Sequence, residues 1–230
     1  MTILITGTSR GIGFDTVKRL AQDTDNKIIA LSRNVSRLEK IIATSNLQNI
    51  QVLSLDLTNF DEVYLYSALS EIDSVDILFN NAGLLINKPF IELTDADWKN
   101  MFEVNVFGLA RLVKAILPKL QAKDGAHILN ISSMGGVQGS SKFPGLSAYS
   151  ASKAAVINLT ECLAEELKED SIKVNCLALG AVQTEMLEEA FPGYQAPLTS
   201  QQMADYFSWF ALNGHHFHNG KTIPVAVSTP

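Results

Sequence analysis

Short apolar runs alternate with amphipathic stretches along most of the chain. Seven runs predict buried strands, and they lie at residues 3–5, 27–31, 51–55, 75–79, 126–131, 171–179 and 221–227. Between them, apolar residues recur at helical spacing, which predicts helices after residue 13 and over residues 35–43, 60–72, 95–120, 148–168 and 199–212. Such alternation predicts an α/β fold, a doubly wound parallel sheet with helices on both faces.

The composition narrows the class of protein. At 230 residues and 47% hydrophobic content, the chain fits one α/β domain or two small ones. A net charge of −6 and a pI near 5.2 argue against nucleic acid as a partner. No leader segment and no membrane-spanning apolar run is found, so we expect a soluble cytoplasmic protein. Cys162 and Cys176 lie in no metal-binding spacing and are expected to be buried free thiols.

The first strand runs directly into a glycine-rich turn, and a helix follows. The turn reads Thr6-Gly7-Thr8-Ser9-Arg10-Gly11-Ile12-Gly13. Between a strand and a helix, such glycines permit a tight turn, close approach of the backbone to a pyrophosphate and close helix packing. This context favours a dinucleotide site, and the alternative is a plain glycine turn before a helix.

The end of the second strand indicates which dinucleotide is preferred. In a dinucleotide fold an acidic residue here binds the ribose 2′-OH of NAD, whereas an arginine accommodates the 2′-phosphate of NADP. The chain has Ser32, Arg33 and Asn34 at this place, and Arg10 in the glycine turn can reach the same phosphate. The two arginines therefore favour NADP(H), and NAD(H) remains an alternative. A second alternative is that both arginines are merely solvated and bind no phosphate. Asp56, after the third strand, is predicted either to accept from an adenine amine or to cap the next helix.

Tyr149 and Lys153 are four residues apart, which places both on one face of a helix. An ammonium one turn away favours the phenolate and is expected to lower the pKa of the tyrosine. The pair is thus a candidate general acid/base, and an ordinary helix surface is the alternative.

Two further polar features lie near this pair in the predicted fold. Ser132 and Ser133 end the fifth strand outside any Gly-x-Ser-x-Gly elbow, so a hydroxyl that polarises a carbonyl fits better than a hydrolase nucleophile. Asn105 lies within an apolar helical stretch and needs partners, because an unpaired buried amide costs about 1–3 kcal/mol. It is predicted to bond to a neighbouring strand or to hold a water at the site.

These motifs together resemble the short-chain dehydrogenase/reductase family. The resemblance rests on Thr6-Gly7-x-x-x-Gly11-x-Gly13, Asn80-Asn81-Ala82-Gly83, Asn105, Ser133 and Tyr149-x-x-x-Lys153, and it covers about residues 1–184. It implies a single-domain Rossmann-type fold over residues 1–230 and NAD(P)-dependent oxidation of alcohols or reduction of carbonyls.

The resemblance also implies roles for individual residues. Tyr149 matches the general acid/base, Lys153 the residue that lowers its pKa and bonds the nicotinamide ribose, Ser133 the serine that binds the substrate oxygen, and Asn105 the residue that holds a relay water. The predicted cofactor-binding residues are Gly7, Ser9, Arg10, Gly11, Ile12, Gly13, Ser32, Arg33, Asn34, Asp56, Leu57, Asn81, Ala82, Gly83, Tyr149, Lys153, Gly180, Val182 and Thr184. We expect no bound metal. We expect the protein to form a homodimer or homotetramer.

Several segments depart from the family pattern. Leu179 replaces a proline before Gly180 and is expected to leave that loop freer. Residues 140–145 lengthen the loop before Tyr149 and should border the site. The apolar residues 186–198 are predicted either to bind a hydrophobic substrate in a small loop or simply to pack a lid. His215, His216 and His218 are predicted to lie in a solvated loop.

The sequence therefore favours an NADPH-dependent reductase of a ketone or aldehyde. Two alternatives stay open: an NAD-dependent alcohol dehydrogenase, and a non-catalytic dinucleotide-sensing protein. The intact Asn105, Ser133, Tyr149 and Lys153 speak against the sensor, because a sensor needs no acid/base pair.

Overall fold

A computed structural model describes residues 1–45 and 47–227. Seven strands form one parallel sheet in the order β3-β2-β1-β4-β5-β6-β9. These strands are β1 (Thr2–Thr6), β2 (Lys27–Ser32), β3 (Ile50–Ser54), β4 (Ile77–Asn80), β5 (His127–Ser133), β6 (Lys173–Leu179) and β9 (Thr222–Val225). Two short strands, β7 (Val182–Gln183) and β8 (Leu198–Thr199), form a separate parallel pair.

Helices cover both faces of the sheet. The α-helices are α1 (Gly11–Leu20), α2 (Ser36–Thr44), α3 (Glu62–Ala68), α4 (Asp95–Phe102), α5 (Gly108–Gln121), α6 (Ser147–Glu166), α7 (Glu185–Ala190) and α8 (Ser200–Asn213). Alternate residues of β1 point to opposite faces, so Ile3 and Ile5 pack with α1, α2 and α8, whereas Leu4 packs with α3, α5 and α6. The predicted doubly wound, seven-stranded Rossmann-type fold is confirmed.

The order of strands creates a crevice next to β1. This strand pairs with β2 on one side and β4 on the other, so the chain reverses its progress across the sheet between them. In open α/β sheets, ligands bind beyond the carboxyl ends of the strands at such a point. The glycine turn and the residues that follow β4 lie there.

The long helix predicted over residues 95–120 is interrupted in the structure. It starts with a capping box of Thr94 and Asp97, but α4 gives way to a π-helical turn over Glu103–Phe107 before α5 begins. Single π-helical turns inside α-helices often lie at functional sites. Pro118 does not end α5, which continues to Gln121.

Three smaller features concern the sheet edge, the two cysteines and the character of the helices. β9, which contains Pro224, lies at the sheet edge, where a proline without an N–H is tolerated. Cys176 is buried, but Cys162 is exposed on the solvent side of α6, so that prediction was wrong for Cys162. Across residues 1–45 and 47–227, no helix combines the length and apolar character needed to cross a membrane.

Candidate active site

The glycine turn between β1 and α1 folds tightly against the segment after β4. Gly7 has a φ of +72°, and a Cβ on it would lie 2.7 Å from the Cα of Ala82. A Cβ on Gly13 would overlap the carbonyl oxygen of Gly7. These positions exclude larger residues, so the turn presents bare backbone at the N-terminus of α1, where anions are favoured.

Asn81, predicted to touch the cofactor, also braces this turn. Its Nδ2 donates to the carbonyl oxygens of Thr6 and Gly7 at 3.0 and 3.1 Å. In return, Thr6 Oγ1 accepts from the backbone N–H groups of Asn81 and Ala82. The amide nitrogen of Asn81 therefore fixes the shape of the glycine turn.

The two arginines expected at a 2′-phosphate differ in their surroundings. Arg33 follows β2, borders the crevice and forms no ion pair with any residue in the described part of the chain. Arg10 also borders the crevice, but its guanidinium forms a bidentate ion pair with Glu189 of α7. In this structure Arg33 is thus the arginine available to an anion.

Asp56 lies beside Arg33 and does not cap a helix. Its Oδ1 accepts from the N–H and the hydroxyl of Thr58 at 2.9 and 2.8 Å, and Asp61 caps α3 instead. Burial disfavours the charged carboxylate, yet the hydrogen bonds from Thr58 and the nearby Arg33 leave the pKa of Asp56 below its usual value. The carboxylate therefore stays ionised on the wall of the crevice.

Tyr149 and Lys153 lie one turn apart on α6, beside the end of β5. Lys153 is buried; its Nζ donates to the carbonyl oxygen of Ile131 at 2.9 Å and lies 5.8 Å from the centroid of the Tyr149 ring. Ser132 donates from its hydroxyl to the carbonyl oxygen of Lys153 at 2.7 Å, whereas the side chain of Ser133 interacts with the phenol. The two serines therefore differ in their contacts, and only the side chain of Ser133 reaches the phenol.

Burial dominates the protonation of this pair. It raises the pKa of Tyr149 to about 12, although the interaction with Ser133 acts in the opposite direction. It also lowers the pKa of Lys153 to about 8. The expectation that Lys153 lowers the pKa of Tyr149 is not met in this structure, because loss of hydration disfavours the phenolate more than its neighbours stabilise it.

Asn105 lies in the π-helical turn, where its buried amide is fully engaged. Its Oδ1 accepts from the backbone N–H of Leu84 at 2.7 Å, and its Nδ2 donates to the Leu84 carbonyl oxygen and the Ser152 hydroxyl, both at 2.9 Å. Asn105 was predicted to bond to a neighbouring strand or to hold a water; its partners lie instead in the loop after β4 and on α6. The amide ties the chain after β4 to α6.

One cavity of about 610 Å³ joins the glycine turn to Tyr149. Every residue predicted to bind the cofactor borders it, and so does Ser133. Asn105 is the exception among the predicted site residues, since it lies one layer behind the wall formed by Leu84.

Sequence reasoning missed part of the cavity wall. Leu85, Val104 and Val227 border the cavity without belonging to any motif. Within the apolar segment 186–198, five residues reach the cavity, and they are Met186, Leu187, Phe191, Tyr194 and Pro197. Phe143, from the lengthened loop, borders it as well, as the position of that loop predicted.

The loop after β6 is held more firmly than the missing proline implied. Leu179 is the last residue of β6 and pairs with Val225 of β9. The N–H of Gly180 also donates to the Val225 carbonyl oxygen at 3.0 Å. Contact with the edge strand therefore fixes a loop that we expected to be freer.

The histidines near the end of α8 pack more closely than predicted. The ring of His215 lies 5.2 Å from that of the buried His127, and His218 stacks on Phe210 at 5.9 Å. His216 is exposed, whereas His215 and His218 are half-buried, so this segment is less solvated than predicted. Among the described residues, no three His, Cys, Asp or Glu side chains are grouped as a metal site requires.

Comparison with known proteins agrees with this geometry. Residues 1–195 match the family described as short chain dehydrogenase. Nodulation protein G of Rhizobium sp. (strain N33) is 31% identical over 96% of this chain and 94% of its own length.

Two solved structures are also similar. A 4-hydroxyisoleucine dehydrogenase mutant complexed with NADH and succinate has a TM-score of 0.86 and 27% identity, covering 98% of this chain and 96% of its own. ElxO with NADP bound has a TM-score of 0.84 and 27% identity, covering 97% and 96%. The chain therefore belongs to the short-chain dehydrogenase family of oxidoreductases.

Proposed function

We propose that this protein is an NADPH-dependent reductase of ketones or aldehydes, with Tyr149 as general acid/base. One observation carries the proposal: a partly buried phenol, a serine hydroxyl and a buried ammonium lie together where the cavity passes from the glycine turn to an apolar wall. Such a cluster suits a carbonyl oxygen that gains negative charge as it is reduced.

The residues around the glycine turn fit a dinucleotide. Gly7 and Gly13 leave room that a Cβ would fill, and the start of α1 favours a pyrophosphate. Arg33, with no carboxylate in the adjacent positions Ser32 and Asn34, favours NADPH over NADH. The related structures do not decide this preference, because one holds NADH and another holds NADP.

Residues of this chain carry out every step of the proposed reduction except the supply of the hydride. When bound, NADPH supplies the hydride that reaches the carbonyl carbon and leaves as NADP⁺. Ser133 donates a hydrogen bond to the substrate oxygen, and Tyr149 transfers its phenolic proton to that oxygen to complete the alcohol. Lys153 stabilises the resulting phenolate, and Asn105 keeps α6 in place against the chain after β4.

The segment 185–198 acts as the substrate loop in this proposal. Its apolar side chains face the cavity that leads to Tyr149, which favours substrate binding over packing of a lid alone. The NAD-dependent dehydrogenase and the dinucleotide sensor are the alternatives to be separated by experiment.

Titration of the purified protein with NADPH and with NADH, followed by absorbance assays with ketones and aldehydes, tests the function. We expect tighter binding of NADPH and its oxidation in the presence of at least one carbonyl compound. Equal or tighter NADH binding would favour the NAD-dependent alternative. Tight NADPH binding without turnover across a broad panel would favour the sensor.

The pKa of Lys153 near 8 sets the expected pH dependence. Reduction starts from protonated Tyr149 and charged Lys153, so its kcat/KM should be constant below pH 8 and fall about tenfold per pH unit above it. Oxidation of the alcohol starts from the form with one proton fewer, so its kcat/KM should rise to about pH 8 and then level off.

Initial rates in both directions between pH 6 and 10 check this expectation. Lys153→Arg is the control, because a guanidinium keeps its charge over this range. Any activity of this variant in reduction should then lack the decline above pH 8. Reduction by the unaltered protein that stays constant to pH 10 would contradict the assignment.

A further inference from the structure

The outer part of the cavity, next to Tyr149, is lined by apolar side chains from three segments, one of which includes α7. We call Leu85, Phe143, Met186, Leu187, Phe191 and Tyr194 the apolar wall; all six border the cavity. Phe143 and Tyr194 are each about half exposed, at 49% and 50%, so they stand where the cavity opens to solvent. Apolar contacts therefore extend from the opening inward.

Hydrogen bonds connect these three segments around the cavity. Asn87 Nδ2 donates to the carbonyl oxygen of Ala190, at the end of α7, at 2.8 Å. The N–H of Lys88 donates to the carbonyl oxygen of Gly145, in the loop that carries Phe143, at 3.1 Å. The apolar wall is thus a formed surface that a substrate meets on entry.

The charged side chains that line the cavity either lie away from the apolar wall, are already bonded to backbone, or are negative and would repel an anion. Arg10, Arg33 and Asp56 follow β1, β2 and β3, in the half assigned to the cofactor. Lys153 is bonded to a backbone carbonyl beneath Tyr149. Glu185, which precedes Met186 in the sequence, also borders the cavity; it is negative and pairs with Arg37 at 3.0 Å.

Lysines in the surrounding loops are already engaged. Lys142 Nζ donates to the Val137 carbonyl oxygen at 2.6 Å and to the Ser140 hydroxyl at 2.8 Å. Lys88 Nζ forms an ion pair with Asp97 at 2.9 Å. A carboxylate or phosphate on the substrate would lose its hydration here without gaining a counter-ion, and an unpaired buried charge is costly.

We propose that the substrate is an uncharged, mainly apolar ketone or aldehyde, and that anionic carbonyl compounds are excluded. This inference rests on the proposed reductase function. The reaction consumes one carbonyl group, one NADPH and one proton, and it yields the alcohol and NADP⁺. The carbonyl carbon is reduced by the hydride, and the nicotinamide is oxidised.

Matched pairs of ketones that differ in one charge test the inference. Methyl 4-acetylbenzoate is compared with 4-acetylbenzoate, and methyl 7-oxooctanoate with 7-oxooctanoate, by NADPH oxidation and by binding to the protein–NADPH complex through quenching of cofactor fluorescence. In both pairs we expect the ester to have a kcat/KM higher by about a hundredfold or more.

A charge placed on the apolar wall gives a second test. Phe143→Arg should raise kcat/KM for the carboxylates relative to the esters, whereas the control Phe143→Leu should leave that ratio near its original value. A Phe143→Arg variant that leaves the ratio unchanged would count against the proposed position of the substrate.

The outcomes separate this inference from the function on which it rests. Turnover that prefers the carboxylates overturns the inference and leaves the reductase function standing. Esters that bind the NADPH complex without any oxidation overturn the reductase function while supporting the apolar site. Failure of both esters to bind overturns the inference.

Discussion

Replacement of Tyr149 by phenylalanine is expected to lower kcat for carbonyl reduction by roughly 10²–10⁴-fold, the usual contribution of a positioned general acid. The change removes one oxygen and keeps the ring that packs on the cavity wall. Burial raises the pKa of Tyr149 to about 12, so the phenol carries its proton at neutral pH, and the variant lacks that donor. Binding of NADPH should change little.

Steady-state kinetics and an NADPH titration of the same sample check this result. Tyr66→Phe on α3 is the matched control, since it removes the same atom from a tyrosine that does not border the cavity. Both variants should retain the NADPH affinity of the unaltered protein. Residual activity of the Tyr149 variant within tenfold of the unaltered protein would refute the assigned mechanism.

Charge reversal at Arg33 is expected to weaken NADPH binding by about ten- to hundredfold. Hydrogen bonds to charged groups are worth about 1.5–3 kcal/mol, and every 1.4 kcal/mol is a factor of ten in Kd. Arg33→Asp also adds a negative charge beside the ionised Asp56. NADH, which lacks the 2′-phosphate, should lose little affinity.

Fluorescence titrations with both dinucleotides measure the difference. Lys40→Asp on α2 is the control, because it changes the net charge equally from an exposed position that does not border the cavity. Equal losses for NADPH and NADH would mean that Arg33 acts on the fold or on a shared part of the dinucleotide. Unchanged NADPH affinity would favour the NAD-dependent alternative.

Local patterns in the sequence predicted most of the fold. Apolar runs such as residues 3–5 marked the buried strands, because strands covered on both faces are mostly apolar. The glycine turn was visible for a similar reason, since only glycine fits where Gly7 and Gly13 meet neighbouring backbone. Side chains at the ends of adjacent parallel strands then had to share one edge of the sheet.

Features that depend on distant packing escaped the sequence. Arg10 and Glu189 are 179 residues apart, and their pairing depends on where α7 lies. The pKa of Tyr149 depends on how fully surrounding elements cover it, so the four-residue spacing to Lys153 gave the wrong direction. The apolar wall likewise combines distant segments that the hydrogen bond from Asn87 to Ala190 brings together, and no sequence motif predicts that contact.

The π-helical turn at Glu103–Phe107 constrains how many residues this segment contains more than which amino acids they are. Each residue of an α-helix turns the chain by about 100°, so one extra residue resets the direction of every side chain after it. Deleting one residue here would restore a regular helix, but α5 would then offer another face to the sheet or Asn105 would swing away from Leu84. This segment should therefore accept substitutions at its exposed residue, Phe107, but neither the insertion nor the deletion of a residue.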